Sequence, residues 1–278
     1  MRAHTIAHTI ADTIADTLLQ LITTRLGSGP PPRVRALHLP PHPWNGTKTG
    51  EFAAIELDSG ALGLSYVLLD DTLAALAGVD GARLVGSDAL ALARLWRDGH
   101  GAERTLGFAA VNALSRQLMD QAGDVPPSAT DSIGGLLPQA GEHIGMVGFF
   151  PPLVQQITAA GARLTVLELR ADLAGAHPGF DVTLDPSALR TCTQVLMTST
   201  VLLNDSLDAV LAQCQQASTV VMIGPGAGCL PEPLFARGIT AVGGTWIEDG
   251  PGFIGALRLG APWGRFARKV LWRRPRAH

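Results

Sequence analysis

The chain has 278 residues, of which 46% are hydrophobic and 16% are charged, and its formal net charge at pH 7 is −3. This composition supplies the apolar side chains of buried cores and excludes a disordered chain, while the length predicts two domains. The near-neutral charge lacks the basic excess of a nucleic-acid-binding domain, so we expect no nucleic-acid partner.

The cysteines and the hydropathy pattern predict the compartment. Cys192, Cys214 and Cys229 are odd in number and fit no zinc-binding spacing, which is typical of a protein in a reducing environment. No apolar run reaches the roughly 20 residues of a membrane-spanning helix, and the first residues lack the apolar segment of a signal peptide. We therefore expect a soluble, cytoplasmic protein with no membrane partner.

The first half of the chain, residues 1–125, predicts an α+β domain. Residues 4–26 repeat a four-residue unit that places isoleucine and leucine on one face of an amphipathic helix, which ends before the breaker-rich segment 27–32. Further hydrophobic patterns predict a strand at 33–39, a hairpin of strands at 51–57 and 61–69, and helices at 86–95 and 103–120. The polar segment 123–135 is rich in glycine and proline and predicts a linker.

The second half, residues 140–265, predicts a Rossmann-like domain. Short apolar runs lie at 143–149, 162–169, 193–199, 218–224 and 238–244, and predicted helices at 151–160, 205–215 and 231–237 separate them. Continuous apolar strands that alternate with helices are typical of a parallel sheet covered on both faces. The predicted fold class is therefore α/β, with a mostly parallel sheet preceded by the smaller α+β domain.

The C-terminal segment 266–278 is basic and contains no acidic residue. This composition predicts a solvated tail. A contact with an acidic partner subunit or with a nucleic-acid backbone is the alternative.

Ligands of a doubly wound sheet bind beyond the carboxyl ends of the strands, so the residues after each apolar run are the candidate site. The first run ends in Gly148 and Phe149, and Pro151 follows it. Glycine allows a ligand to approach the backbone closely, and free amides at the start of the next helix could hold an anion. The spacing of Gly145 and Gly148 is only part of a dinucleotide-binding fingerprint.

Glu168 ends the second run, about twenty residues after Gly148. At this position an acidic side chain accepts hydrogen bonds from ribose hydroxyl groups. A surface glutamate paired with Arg170 is the alternative.

Polar residues and glycines follow the third and fourth runs. Thr198–Thr200 and Asn204 carry hydroxyl and amide groups that suit a polar ligand, although capping of the next helix by Asp205 or Ser206 explains part of this segment. The amides of the glycine-rich loop 224–229 predict an anion-binding concavity. The loop lacks the Lys-Ser/Thr of a phosphate-binding loop, so nucleotide hydrolysis is not expected.

Five segments in order, GMVGFFPPLVQQI, LTVLELRADL, VLMTSTVLLNDSLD, VVMIGPGAGCLPEPLFARG and ITAVGGTWIEDGPGFIGALRLG, resemble the putative heavy-metal chelation family. That family couples a Rossmann-like domain to a preceding enolase-N-terminal-like domain, and WNGTKTGEFAAIELDSGALGLSYVLL resembles the latter. The resemblance implies that the functional site is the cleft between the two domains.

The resemblance also implies a set of ligand-binding residues. The positions that match the family motifs are Gly145, Gly148, Pro151, Glu168, Thr198, Thr200, Asn204, Gly224, Pro225, Thr245 and Asp249, with Asn112 and Tyr66 in the first domain. Ser199 and Gly226-Ala227 depart from the motifs where glycine and hydroxyl residues are expected, which leaves the identity of the ligand open. Ser199, Gly226 and Phe149 complete the candidate ligand-binding site.

The residues supply less support for a metal site than the family name implies. Heavy metals prefer clustered thiolates or imidazoles, and Cys229 is the one candidate ligand at the carboxyl edge of the sheet. A small buried hydrophobe is the alternative role for this cysteine.

The sequence leaves three functions open. The first is a protein that binds a small polar or metal-complexed ligand between its domains, with a role in heavy-metal chelation or metallo-ligand metabolism. The second is an enzyme that uses a nucleotide-derived cofactor, NAD or S-adenosylmethionine, in the same cleft. The third is a structural partner protein. A divalent or heavy metal is compatible with the first function, and a homo-oligomer is compatible with each of them.

Overall fold

Residues 12–122 form a three-stranded antiparallel sheet packed against helices in the computed structural model, which describes residues 12–275 apart from the side chains of Lys48 and Thr49. The strands are β1 (Val34–His38), β2 (Phe52–Leu57) and β3 (Leu62–Tyr66), and they pair in that order. The helices are α1 (Ile14–Leu26), α2 (Thr72–Ala77), α3 (Ala89–Asp98) and α4 (Gly101–Ala122). The predicted strands, hairpin and helices of this half are confirmed, and α2 was not predicted.

Helix α1 begins at a reciprocal cap. The Thr13 hydroxyl accepts a hydrogen bond from the Asp16 amide, and the Asp16 carboxylate accepts one from the Thr13 amide. Leu18 and Ile22 are fully buried on the predicted apolar face. The earlier part of the predicted helix, residues 4–11, lies outside the described residues.

Sheet and helix approach most closely at Gly63. A Cβ atom at this position would lie 2.1 Å from the backbone nitrogen of Ala113 in α4. Because only glycine has no Cβ, only glycine lets β3 lie directly on α4.

Residues 143–273 contain an eight-stranded sheet. Its strands are β4 (His143–Val147), β5 (Arg163–Leu167), β6 (Gly175–His177), β7 (Phe180–Thr183), β8 (Gln194–Thr198), β9 (Thr219–Ile223), β10 (Ala241–Ile247) and β11 (Ala267–Arg273). The helices are α5 (Pro151–Ala159), α6 (Leu207–Leu211), α7 (Glu232–Ala236) and α8 (Gly250–Arg258). All five predicted strands and all three predicted helices are present, whereas β6, β7 and α8 were not predicted.

The strand order in this sheet is β11-β10-β9-β8-β4-β5-β7-β6. The six central strands, from β10 to β7, are parallel, and the two edge strands are antiparallel to their neighbours. Counted along the chain, the parallel strands have the order 3-2-1-4-5-6 of a Rossmann fold, in which the direction of the chain switches between β4 and β8.

The predicted solvated tail is wrong for residues 267–273, which form strand β11 beside β10. Val270, Leu271 and Trp272 are buried, so the segment belongs to the sheet. Its basic side chains make local contacts, because Arg268 pairs with Glu248 and Lys269 donates to the Ser132 hydroxyl. The strand was not predicted because the apolar run between the basic residues is short and the charge of the segment is typical of a solvated tail.

The predicted linker also takes part in the fold. The Leu271 amide donates to the carbonyl of Pro127, and the Ala129 amide donates to the carbonyl of Lys269. Residues 127–129 therefore lie along the outer edge of β11 and cover part of its backbone, which would otherwise be an exposed sheet edge.

The two halves share one hydrophobic core. Trp96 and Phe108 pack in the same buried cluster as Val201 and Leu202, and the Trp96 indole nitrogen donates to the carbonyl of Leu202 at 2.8 Å. Between residues 12 and 275, no helix combines the length and the apolar character needed to cross a membrane.

Candidate functional site

A cleft of about 900 Å³ lies between the antiparallel sheet and the carboxyl ends of the parallel strands. The first half contributes residues from the start of β2 and from the end of β3 to Asp70. The second half contributes the segments that follow β4, β5, β7, β8 and β9, together with Trp263 and Gly264. This is the edge at which a Rossmann-type sheet binds its ligands.

Eleven of the candidate site residues line this cleft. They are Tyr66, Gly148, Phe149, Pro151, Glu168, Thr198, Ser199, Thr200, Asn204, Gly224 and Pro225. The segments after β4, β8 and β9 therefore converge as expected, because parallel strands end on the same side of a sheet.

Other candidates lie outside the cleft and have structural roles. Gly145 is inside β4, where a Cβ would lie 2.7 Å from the side chain of Leu189. Asp249 was expected near the cleft but caps α8, and its carboxylate accepts a hydrogen bond from the Gly252 amide at 3.0 Å. Asp249, an expected ligand-binding residue, therefore does not line the cleft.

Asn112, Gly226 and Thr245 lie at a separate contact between the two halves. The Asn112 side chain donates to the carbonyl of Leu64 at 2.7 Å and to the carbonyl of Gly226 at 2.9 Å. Asn112 and Thr245 line a cavity of about 20 Å³, which has room for roughly one water molecule. Asn112 thus holds the glycine-rich loop against β3.

Two glycines let the strand ends meet at the cleft. Gly148 has a φ of +87° and Gly224 a φ of +143°, both outside the range of ordinary side chains. A Cβ at Gly148 would lie 3.1 Å from Thr198, and a Cβ at Gly224 would lie 2.5 Å from the Ser199 hydroxyl. These glycines are needed for the close approach of the loops after β4, β8 and β9.

The start of α5 does not offer the free amides that the sequence predicted. Pro151 and Pro152 occupy its first positions and carry no N–H group, and the Leu153 amide donates to the carbonyl of Phe150 at 2.8 Å. In the glycine-rich loop, the amides of Gly224 and Ala227 likewise donate to protein carbonyls.

The polar groups after β8 form a hydrogen-bonded set. The Thr198 hydroxyl accepts a hydrogen bond from the Thr200 amide, and the two threonine hydroxyls lie 3.0 Å apart. The Asn204 carbonyl oxygen accepts from the amide and the hydroxyl of Ser206. Ser206 starts α6 without a side-chain cap, and Asp205 pairs with Arg104, so neither residue caps this helix.

Glu168 is half-buried in the cleft, and one of its oxygens accepts a hydrogen bond from the Leu169 amide at 2.8 Å. Arg170 forms its ion pair with Asp172 instead of Glu168. The alternative prediction, an ion pair between Glu168 and Arg170, is therefore wrong.

Tyr66 faces the same part of the cleft from the opposite sheet. Burial raises the pKa of its phenol to about 12, and the negative charges of Glu51 and Glu168 add to this shift. Both carboxylates therefore act on one region of the cleft. Asp70 adds a third carboxylate to the lining, whereas Arg170 is the one basic side chain that the described residues contribute to it, and it pairs with Asp172.

Several lining residues were missed by the sequence analysis. Glu51 and Asp70 flank the predicted hairpin, so a search for acidic residues at its ends could have found them. Trp263 follows α8, and no sequence signal placed it here because its position depends on how that helix packs.

The cysteines lie away from this set of oxygen atoms. Cys229 is fully buried, and burial raises the pKa of its thiol to about 12. Burial also raises the pKa values of Cys192 and Cys214 to about 11. Within the described part of the chain, no group of three His, Cys, Asp or Glu side chains is arranged to hold a metal ion.

A mostly parallel sheet of Rossmann order and a small antiparallel sheet, with a cleft between them, define an α/β protein. The chain belongs to the putative heavy-metal chelation family. One family model with that description matches residues 135–274, and a second with the same description matches residues 50–115.

Two solved structures share this fold, and one further protein is similar in sequence. A protein of unknown function from the same family in Pyrococcus horikoshii has a TM-score of 0.68 and 17% identity, covering 94% of this chain and 100% of that one. Another from Desulfitobacterium hafniense has a TM-score of 0.67 and 18% identity, covering 92% and 98%. An uncharacterized protein of Methanocaldococcus jannaschii is 30% identical over 156 residues, which span 53% of this chain and 56% of that relative.

Proposed function

We propose that this protein binds a small organic ligand, free or as its metal complex, in the cleft between its two domains. The observation that carries the proposal is the cleft itself, with its volume of about 900 Å³ and its lining from both domains. Apolar walls with a few convergent polar groups are typical of small-molecule sites. The polar groups here are the hydroxyls of Thr198 and Thr200, the Asn204 amide and the Glu168 carboxylate.

The donor atoms that line the cleft determine in which form a metal would bind there. Carboxylate and hydroxyl oxygens suit hard cations, whereas heavy metals prefer thiolates and imidazoles. Since the three cysteines are buried elsewhere with raised pKa values, a soft metal would bring its own ligands as an organic complex. The family description supports a role in such metal–ligand chemistry.

An enzyme with a nucleotide-derived cofactor, NAD or S-adenosylmethionine, is the second candidate. The Rossmann strand order and the position of Glu168 at the end of β5 favour it. Both candidates use the same cleft.

Native mass spectrometry and elemental analysis of the purified protein test the proposal. We expect a bound small molecule, and we expect Thr200→Val to weaken its binding by about 1 kcal/mol, or roughly fivefold, because one hydrogen bond is lost. Thr193→Val is the matched control, since Thr193 directly precedes β8, whereas Thr200 follows its carboxyl end at the cleft. Ala209→Trp places an indole ring in the lining of the cleft, and unchanged affinity for the ligand in both this variant and Thr200→Val would contradict the proposal.

A further inference from the structure

We propose that the ligand of the cleft is a phosphate-free nucleoside derivative that carries a positive charge and is held through its ribose hydroxyls by Glu168. The inference rests on the proposed function and names the chemical class of its ligand. It follows from three independent features: the place of Glu168 in the sheet, the start of α5 and the charge of the cleft.

Glu168 follows β5, the second parallel strand of the Rossmann order, beside the strand at which the chain direction switches. An acidic residue at this position of a nucleoside-binding sheet accepts the ribose hydroxyls. One oxygen of Glu168 accepts from the Leu169 amide, and this bond holds the carboxylate in place. The other oxygen has no hydrogen-bond partner among residues 12–275, so it is available to a ligand.

The start of α5 argues against a phosphate. Dinucleotides place their pyrophosphate on the free amides of the first helix after the first strand. Here Pro151 and Pro152 have no N–H group, and the Leu153 amide donates to the Phe150 carbonyl. A phosphate group bound at this position would lose hydrogen bonds to water, and the first turn of the helix has no free N–H group to replace them.

The loop before α5 offers an apolar wall instead. Phe149 lines the cleft and stacks on Phe180 with ring centroids 6.0 Å apart and an angle of 25° between the planes. Phe180 in turn stacks on His177 at 4.8 Å. A supported aromatic ring of this kind suits the flat face of a nucleobase.

The charge of the cleft favours a cation. Glu51, Asp70 and Glu168 line it, and Arg170 is paired with Asp172. A positive group bound beside Asp70 and Glu168 would be attracted by their carboxylates, whereas a phosphate would be repelled.

Calorimetric titration of the full-length protein with S-adenosylmethionine, adenosine and NAD tests the inference. We expect S-adenosylmethionine to bind more tightly than adenosine, and NAD to bind at least tenfold more weakly than S-adenosylmethionine. Glu168→Gln should weaken the binding of both S-adenosylmethionine and adenosine about tenfold, because the charge of the acceptor is lost. Glu248→Gln is the control, since this exposed carboxylate pairs with Arg268 outside the cleft and should leave binding unchanged.

The outcomes separate the two proposals. Equal or tighter binding of NAD, or binding that is unchanged in Glu168→Gln, would overturn the inference. If none of the three probes binds while native mass spectrometry finds another molecule whose binding Ala209→Trp or Thr200→Val weakens, the nucleoside inference fails and the proposed function stands. A circular dichroism melt of each variant shows whether the fold is retained.

Discussion

At the scale of single residues, Tyr66 is an unusually direct probe of the cleft because it is the chain's one tyrosine. Burial first, and then the charges of Glu51 and Glu168, raise its pKa to about 12. We expect tyrosinate absorbance to appear near pH 12 in the folded protein, and Glu168→Gln to move the transition to lower pH. A titration of the native protein near the ordinary value of about 10 would show that the phenol is open to water.

At the scale of elements, the contact of β3 with α4 depends on Gly63. Gly63→Ala would place a Cβ 2.1 Å from the Ala113 nitrogen, so strand or helix must move. We expect a loss of about 2 kcal/mol or more in the free energy of unfolding, measured by urea denaturation. Gly255→Ala in α8 is the control, because nothing lies within 4 Å of the added Cβ. It should instead stabilise the helix by roughly 0.5–1 kcal/mol, and equal effects of the two changes would contradict the packing argument.

At the scale of the whole molecule, His38 connects the two halves of the chain. Its Nδ1 accepts a hydrogen bond from Arg258 of α8 at 2.9 Å, and its Nε2 donates to Glu56 of β2 at 2.8 Å. Glu56 also pairs with Arg35. Burial lowers the pKa of His38, and the charge of Arg258 lowers it further, while the hydrogen bond to Glu56 opposes the shift.

The sign of the resulting pH dependence follows from this lowered pKa. The unfolded state binds the proton more readily, so the contribution of His38 to stability is present above pH 6.5 and is lost as the pH falls toward the folded-state pKa. We expect the urea concentration at the midpoint of unfolding to decrease as the pH is lowered from 6.5 to 5. His38→Gln should make this decrease with pH smaller. His143, whose pKa burial also lowers, should account for part of the slope that remains. An unchanged slope in His38→Gln would show that the domain contact does not titrate.

The elements that could be predicted from the sequence are those whose signal is local. The apolar runs of the five predicted strands and the periodicity of α1, α3 and α4 depend on residues close together in the chain, and the strand-end positions of Glu168 and Thr198 followed from them. Strand pairing and contacts between residues far apart in the chain could be identified only in the folded protein. Strand β11 exists because it pairs with β10 and is covered by residues 127–129, although its composition resembles a solvated tail. Asn112 contacts the carbonyl of Gly226, and Glu51 and Trp263 line one cleft, because hydrogen bonding and burial join residues that lie more than one hundred positions apart in the chain.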